Sequence, residues 1–329
     1  MSSRRRAPIN HTALEKPPHG RNGLGPERVA EIQRARMLTA MAEVSAERGA
    51  TNVTVAHVVA RAGISRRTFY ELFEGREGCF LAAFDEAVER AASRMVEAYG
   101  SGGRWRERVR ASLTALLEFL DDEPGMGRLV IVETLGAGPK ALERRSRVLA
   151  QIITAVDEGR REVKGGSGLP PLTAEGVVGA VLAVIHARLL EGHPERLVGL
   201  LNQLMSMIVL PYLGPAAARR ELKRPVPKAS AGVHTNKRDP LRELEMRLTY
   251  RTVRVLMAVG AHPGASNRQI GDAAGVSDQG QISKLLARLK RLGLIENTGP
   301  GSPGEPNAWR LTETGRDVHG AIAAQTTRS

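Results

Sequence analysis

The chain has 329 residues, 42% of them apolar and 25% charged, which excludes a wholly disordered chain and a membrane protein by composition. Lys and Arg number 48 against 35 Asp and Glu, and a formal charge of +13 favours a polyanion, nucleic acid above all, as partner. The single cysteine, Cys79, excludes an internal disulfide framework and a cysteine-based zinc site, and suits a reducing cytoplasm.

No apolar run reaches the roughly 18 residues of a membrane span, and Met1–Gly25 lacks the apolar core of a signal peptide, so no membrane partner is expected. Met1–Gly25 carries five Lys and Arg against Glu15 alone, without helical periodicity, and reads as a disordered basic arm. Met37, Leu38, Met41 and Val44 then form a helical stripe, closed by Gly49. Thr54–Phe73, TVAHVVARAGISRRTFYELF, reads as two helices and a tight turn. Thr54 caps the first, which turns Val55, Val58 and Val59 inward. Ala62-Gly63-Ile64 supplies a small residue, a positive φ and an apolar plug. Ser65 caps the second helix, which buries Phe69, Leu72 and Phe73 and points Arg66, Arg67, Thr68 and Tyr70 elsewhere. A helix-turn-helix of this kind lays its second helix in the major groove, where donors and amphoteric groups meet phosphates and base edges. The plainer alternative is a helical hairpin within a core, its arginines merely solvated.

Residues 27–98 resemble the N-terminal domain of TetR/AcrR-family transcriptional regulators, through MLTAMAEVSAERGA and VTVAHVVARAGISRRTFYELFEGREGCFLAAFDEA. The resemblance implies three DNA-binding helices and a fourth leading into an all-helical ligand and dimerisation domain. It implies DNA contacts by Thr54, Arg66, Arg67, Thr68 and Tyr70, with Ser65 as the cap. Arg76 stands where family members usually place a phosphate-holding lysine.

Ser101–Gly214 continues with helical spacing at Leu113, Leu116, Leu117 and Leu120, then over Met126–Arg161, Thr173–Glu191 and Pro194–Leu213. By resemblance the last two helices form the interface of a symmetric homodimer. Val181, Val184 and Ile185 would meet Leu200, Leu204 and Ile208 across the dyad. The helices before them would enclose an unidentified small-molecule effector. Glu133, His186 and Arg188 are its candidate polar contacts, against the simpler reading of exposed or satisfied side chains. Gly165–Pro171, GGSGLPP, reads as a mobile loop, and Cys79 beside Phe80 as packing and not a redox sensor.

Pro215–Arg238 sets seven basic residues against Glu221 and reads as a linker. Beyond it, Leu241, Leu244, Leu248, Val255 and Val259 mark a helix, and Ser266–Gln269 is a capping box. Ala274-Gly275-Val276-Ser277 repeats the turn chemistry of Ala62–Ser65. A longer helix then buries Ile282, Leu285, Leu286 and Leu289 and offers Gln279, Gln281, Lys284 and Arg288 outward. Leu294–Asn297 and Ala308–Leu311 bracket TGPGSPGEPN, a hairpin whose tip lacks Lys and Arg. The segment resembles a winged helix-turn-helix of the MarR or ArsR type. That implies groove contacts by Gln279, Gln281 and Lys284 and phosphate contacts by Arg288 and Arg310.

No close metal-ligand pair occurs among the eight histidines and no nucleotide-binding glycine motif follows a strand, so no enzyme, metal or cofactor is expected. The expected fold is mainly all-α: a basic arm (1–25), a TetR-type DNA-binding domain (26–100), a helical ligand-binding and dimerisation domain (101–214), a basic linker (215–238) and a small α+β winged helix domain (239–329). The expected function is a cytoplasmic, dimeric, ligand-responsive transcriptional repressor on a double-stranded DNA operator. The alternatives are an architectural or nucleoid DNA-binding protein without ligand control, and a regulator whose winged domain binds protein.

Overall fold

The computed structural model describes residues 26–100, 103–163, 168–192, 195–226, 250–299 and 306–326. They fall into two compact units, one within Ala30–Thr249 and one holding Tyr250–Thr327. The expected basic arm, the residues Leu241, Leu244 and Leu248, and most of the hairpin tip lie outside the described residues, as does part of the 165–171 loop.

Among the described residues of the first unit the regular elements are all helical. Its opening three helices are α1 (Pro26–Arg48), α2 (Val55–Ala62) and α3 (Arg66–Leu72). Met37, Leu38 and Met41 of α1 are buried in one cluster with Val58, Ile64 and Phe69, as the stripe predicts. Gly63 ends α2 in the left-handed region (φ 65°, ψ 36°), and its N–H and that of Ile64 bond back to the last carbonyls of the helix. The bundle follows with α4 (Arg76–Gly100), α5 (Trp105–Asp122), α6 (Pro124–Ile131), α7 (Pro139–Asp157), α8 (Thr173–Glu191) and α9 (Leu201–Leu222).

Two sequence readings need correction here. Met126–Arg161 is not one helix, because Gly138 at φ 107° and Pro139 at the first turn restart the chain after a short turn at Glu133–Gly136. The linker does not begin at residue 215: Gly214 kinks the chain (φ 79°), and helix resumes through Leu222 with Ala217, Ala218 and Glu221 buried. Glu221 explains this. It accepts from Arg110 of α5 at 2.8 Å, and Asn202 accepts from the same guanidinium at 2.7 Å. Asn202 in turn donates to the Arg224 carbonyl at 2.6 Å, so residues 221–224 are held against the bundle.

Thr173–Glu191 and Leu197–Leu222 are long and apolar enough to cross a membrane by length and composition only, with mean hydropathies of 1.5 and 1.6, although polar residues interrupt both. Half of the apolar stretch of the second is buried within the protein, but only 28% of that of the first. The face of α8 left open carries small residues, Gly176, Ala180, Ala183 and Ala187, and ends at the exposed Leu190.

The second unit comprises α10 (Tyr250–Ala261), α11 (Asn267–Ala274), α12 (Gln279–Arg291), β1 (Ile295–Asn297), β2 (Trp309–Leu311) and α13 (Glu313–Thr326). Val255, Val259, Ile270, Ile282, Leu286, Leu289 and Ile322 fill its core. The strands pair antiparallel with Ile295 opposite Leu311 and Glu296 opposite Arg310. Ala265 forms a bridge on the other side of Trp309. The molecule is mainly all-α, with this hairpin at its C-terminal end.

Candidate nucleic-acid interface

The first helix-turn-helix is built by its caps. Thr54 accepts the N–H of His57 at 3.3 Å, and His57 Nδ1 accepts the N–H of Thr54, a reciprocal box with histidine in place of the usual Glu or Gln. Ser65 accepts the N–H of Thr68 at 3.1 Å, and their hydroxyls lie 2.9 Å apart. Thr54, Ser65 and Thr68 are therefore engaged in holding the two helices. Arg66 is exposed, and Tyr70 is 62% exposed with its ring set edge-on against Phe69. Arg67 is exposed too, but its Nε donates to Glu71 at 2.9 Å. Arg76 donates to the Ala50 carbonyl at 2.6 Å, so part of its guanidinium is spent inside the protein. Arg61 is bound to Glu47 and Glu43 of α1, at 2.6 and 3.2 Å, and serves to fasten α2.

The second unit repeats the turn. Gly275 takes φ 64°, ψ 36°, nearly the angles of Gly63, and Ser266 with Gln269 makes the expected capping box. The cap of α12 is Asp278 and not Ser277: its carboxylate accepts the N–H groups of Gly280 and Gln281 at 2.8 and 3.1 Å. Gln279, Lys284 and Arg288 are exposed on α12, as is Arg310 on β2. Gln281 is half-buried and accepts from Arg251 at 3.0 Å, which ties its side chain to α10.

The sequence reading missed what fixes the hairpin. Asn267, at the start of α11, accepts Nε1 of Trp309 at 2.6 Å and the amide of Asn307 at 3.1 Å, and donates to Ser283 of α12 at 3.1 Å. Asn297 closes the hairpin base by accepting from Ala308 at 2.8 Å. Two asparagines flanking a turn-rich segment were the available signal.

A cavity of about 310 Å³ lies between α4, α5, α7 and α8, within the range of small-ligand sites. Phe84, Val88 and Met95, Val109, Leu113 and Leu116, Ile152, Val177, Val178 and Leu182 make it apolar, and among the described residues Arg145 is the single charged one lining it. Tyr99 also lines it; burial and then a 2.7 Å hydrogen bond to Glu158 push its phenol up to about 12, so it remains neutral. Glu133, His186 and Arg188 do not line the cavity. Glu133 is buried and accepts the N–H of Ala50 at 2.8 Å, and Arg188 pairs with Glu191 at 3.2 Å. The expected dimer residues need the same correction. Val181, Ile185, Leu204 and Ile208 are buried within the protomer, Val181 and Ile208 on the cavity wall, and Val184 and Leu200 are half-buried. Both sides of α8 are apolar, and its branched side chains take the inward side. Among the described residues no group of three or more His, Cys, Asp or Glu could hold a metal ion.

Residues 37–83 match the family model "Bacterial regulatory proteins, tetR family", and residues 248–302 match that of the MarR family. The HTH-type transcriptional activator FasR of Mycolicibacterium smegmatis (strain ATCC 700084 / mc(2)155) is 28% identical over 116 residues, 35% of this chain. The match spans about half (53%) of that relative's length. The fatty acid degradation regulator FadR from Bacillus halodurans is 16% identical with a TM-score of 0.48, over 53% of this chain and 97% of that one. A TetR family transcription regulator from Marinobacter aquaeolei VT8 is 22% identical with a TM-score of 0.46, over 55% and 96%. The comparisons point to transcription-regulatory families and not to enzymes. One chain thus matches a tetR-family model at 37–83 and a MarR-family model at 248–302.

Proposed function

We propose that this protein is a cytoplasmic, dimeric transcriptional regulator that binds double-stranded DNA through two modules per protomer and is controlled by a small amphiphile. The observation that carries the reading is the repeated tight turn, Gly63 and Gly275 at nearly the same angles, each leading into a helix with exposed donors. Arg66, Arg67 and Tyr70 are the proposed base and phosphate contacts of the first module, with Thr54, Ser65 and Thr68 holding its geometry. Gln279 and Lys284 serve the groove in the second, Arg288 and Arg310 its phosphates.

The effector fits the cavity by chemistry: an apolar body against the valines and leucines, and an anionic end toward Arg145. Dimerisation is assigned to the open faces of α8 and α9, where Ala180, Ala183, Ala187 and Leu190 and the exposed Met207 and Leu210 lie. Selection of random-sequence duplexes by the full-length protein tests the reading. A regulator enriches one operator with a mismatch cost of roughly 1–3 kcal/mol per base pair. Sequence-indifferent binding would instead support the architectural alternative.

A further inference from the structure

Glu133 is a carboxylate, 7% exposed, in the turn Glu133–Gly136 that follows α6. One oxygen accepts the backbone N–H of Ala50 at 2.8 Å, from a residue 83 positions earlier. The other accepts Nε of Arg128, on α6, at 3.2 Å. The same guanidinium donates through Nη1 to the carbonyl of Leu189, near the end of α8, at 2.9 Å. Ala50 accepts on its own carbonyl from Arg76, in the first turn of α4.

These residues connect the two working parts of the unit. On one side, Val130 and Ile131, two and three residues on from Arg128 on α6, are cavity walls, as are Val177, Val178, Val181 and Leu182 on α8. On the other, Ala50 opens the short turn Ala50–Asn52 that leads to Thr54, the cap of α2. A buried carboxylate must keep its donors, because leaving it or the Ala50 N–H unpaired forfeits their solvation without return. A hydrogen bond to a backbone N–H also carries motion to the backbone itself, with no side-chain rotamer to absorb it. When α6 shifts, Ala50 either follows Glu133 or loses its partner.

We infer that Glu133 is the positioning residue through which occupation of the cavity moves α2 and α3, and so changes affinity for DNA. The inference rests on the ligand-controlled reading above and names the residue that transmits the control. Binding couplings are reciprocal, so the probe and the DNA must change each other's affinity by the same factor.

The experiment uses the full chain, the operator recovered by selection, and anilinonaphthalene sulfonate as an apolar, anionic fluorescent probe. Ala91→Trp, which fills the cavity, is expected to abolish probe binding; binding that survives it removes the cavity from the argument and overturns the inference. In the wild type the mutual effect of probe and operator is expected at roughly 5–150-fold. Glu133→Gln turns an amide nitrogen toward one of the two donors, and Arg128→Lys cannot reach Glu133 and Leu189 together. Each variant is expected to bind probe alone and operator alone much as the wild type does, while the coupling factor falls toward one. A merely structural Glu133 would lower helicity and both affinities together and leave the factor where it was. Coupling that survives both substitutions overturns the inference. A wild type that binds both probe and operator with no mutual effect overturns ligand control itself, a distinct failure.

Discussion

Two adjacent arginines at the start of α3 stand in different circumstances. Arg66 is exposed, whereas Arg67 is held by Glu71 one turn on. An exposed pair at this spacing is worth about 0.3–0.5 kcal/mol, against about 1–3 kcal/mol for a bidentate arginine–guanine contact. On the proposed reading Glu71 would weaken DNA binding slightly without preventing it. Arg66→Ala should relax preference at one base per half-site, and Glu71→Gln should tighten operator binding, both read by fluorescence anisotropy. Operator binding unchanged in Arg66→Ala and in Arg67→Ala would remove α3 as the reading helix. Cys79 gives a second prediction at this scale. Burial pushes its thiol up to about 12, and the opposing pull of Arg34 is smaller. With so little thiolate at neutral pH, the native protein should react with a disulfide reagent only as it unfolds.

At the scale of elements, what local chemistry determines was legible. Gly63 and Gly275 each end a helix in the left-handed region because the AG[IV]S pattern leaves glycine alone free to do so. Thr54, Ser65 and Ser266 cap as their positions imply. What long-range pairing determines was not legible. Gly214-Pro215 reads as a stop, yet α9 continues because Glu221 meets Arg110, 111 residues away. Glu133 stood in the sequence as a candidate ligand contact or a satisfied side chain, and its partner, Ala50, 83 residues earlier, could not be read there. The inward face of α8 was equally hidden, since periodicity cannot rank two apolar faces. The Arg110–Glu221 pair yields a test. Breaking a buried pair by removing one partner typically costs about 3–5 kcal/mol, while replacing both with apolar groups is often neutral or better. Glu221→Leu should therefore lower the denaturation midpoint strongly, and Arg110→Met with Glu221→Leu should recover most of the loss. Equal stability of the two variants would show that the pair does not hold the end of α9.

For the whole molecule, two predictions concern how recognition is assembled. The open face of α8 and the exposed Met207 and Leu210 of α9 should be covered by a second copy. Ala183→Arg and Leu210→Arg should each give monomers in sedimentation and lose specific binding, since paired half-sites need paired reading helices. A wild type that is monomeric at micromolar concentration would overturn this. The other prediction concerns the MarR-family region. Twenty-three residues, 227–249, separate the last described residue of the first unit from α10. Covalent geometry limits their reach to roughly 75–80 Å. Successive major-groove faces lie roughly 34 Å apart, so the second module can reach DNA beyond the half-site of the first. Tethering gives it a high effective concentration, and modest affinity by Gln279, Lys284 and Arg288 would then strengthen the whole complex. Each phosphate it neutralises should steepen the salt dependence by about 0.9 in the logarithmic slope. Deleting residues 239–329 should therefore shorten the protected footprint, weaken operator affinity and flatten the salt slope, with dimerisation intact. The wing offers the competing outcome, because the described part of its tip, Thr298, Gly299, Pro306 and Asn307, presents polar groups without positive charge. If footprint, affinity and slope all stay as in the full chain, the MarR-family region works by contacting protein, and the first helix-turn-helix alone reads the operator.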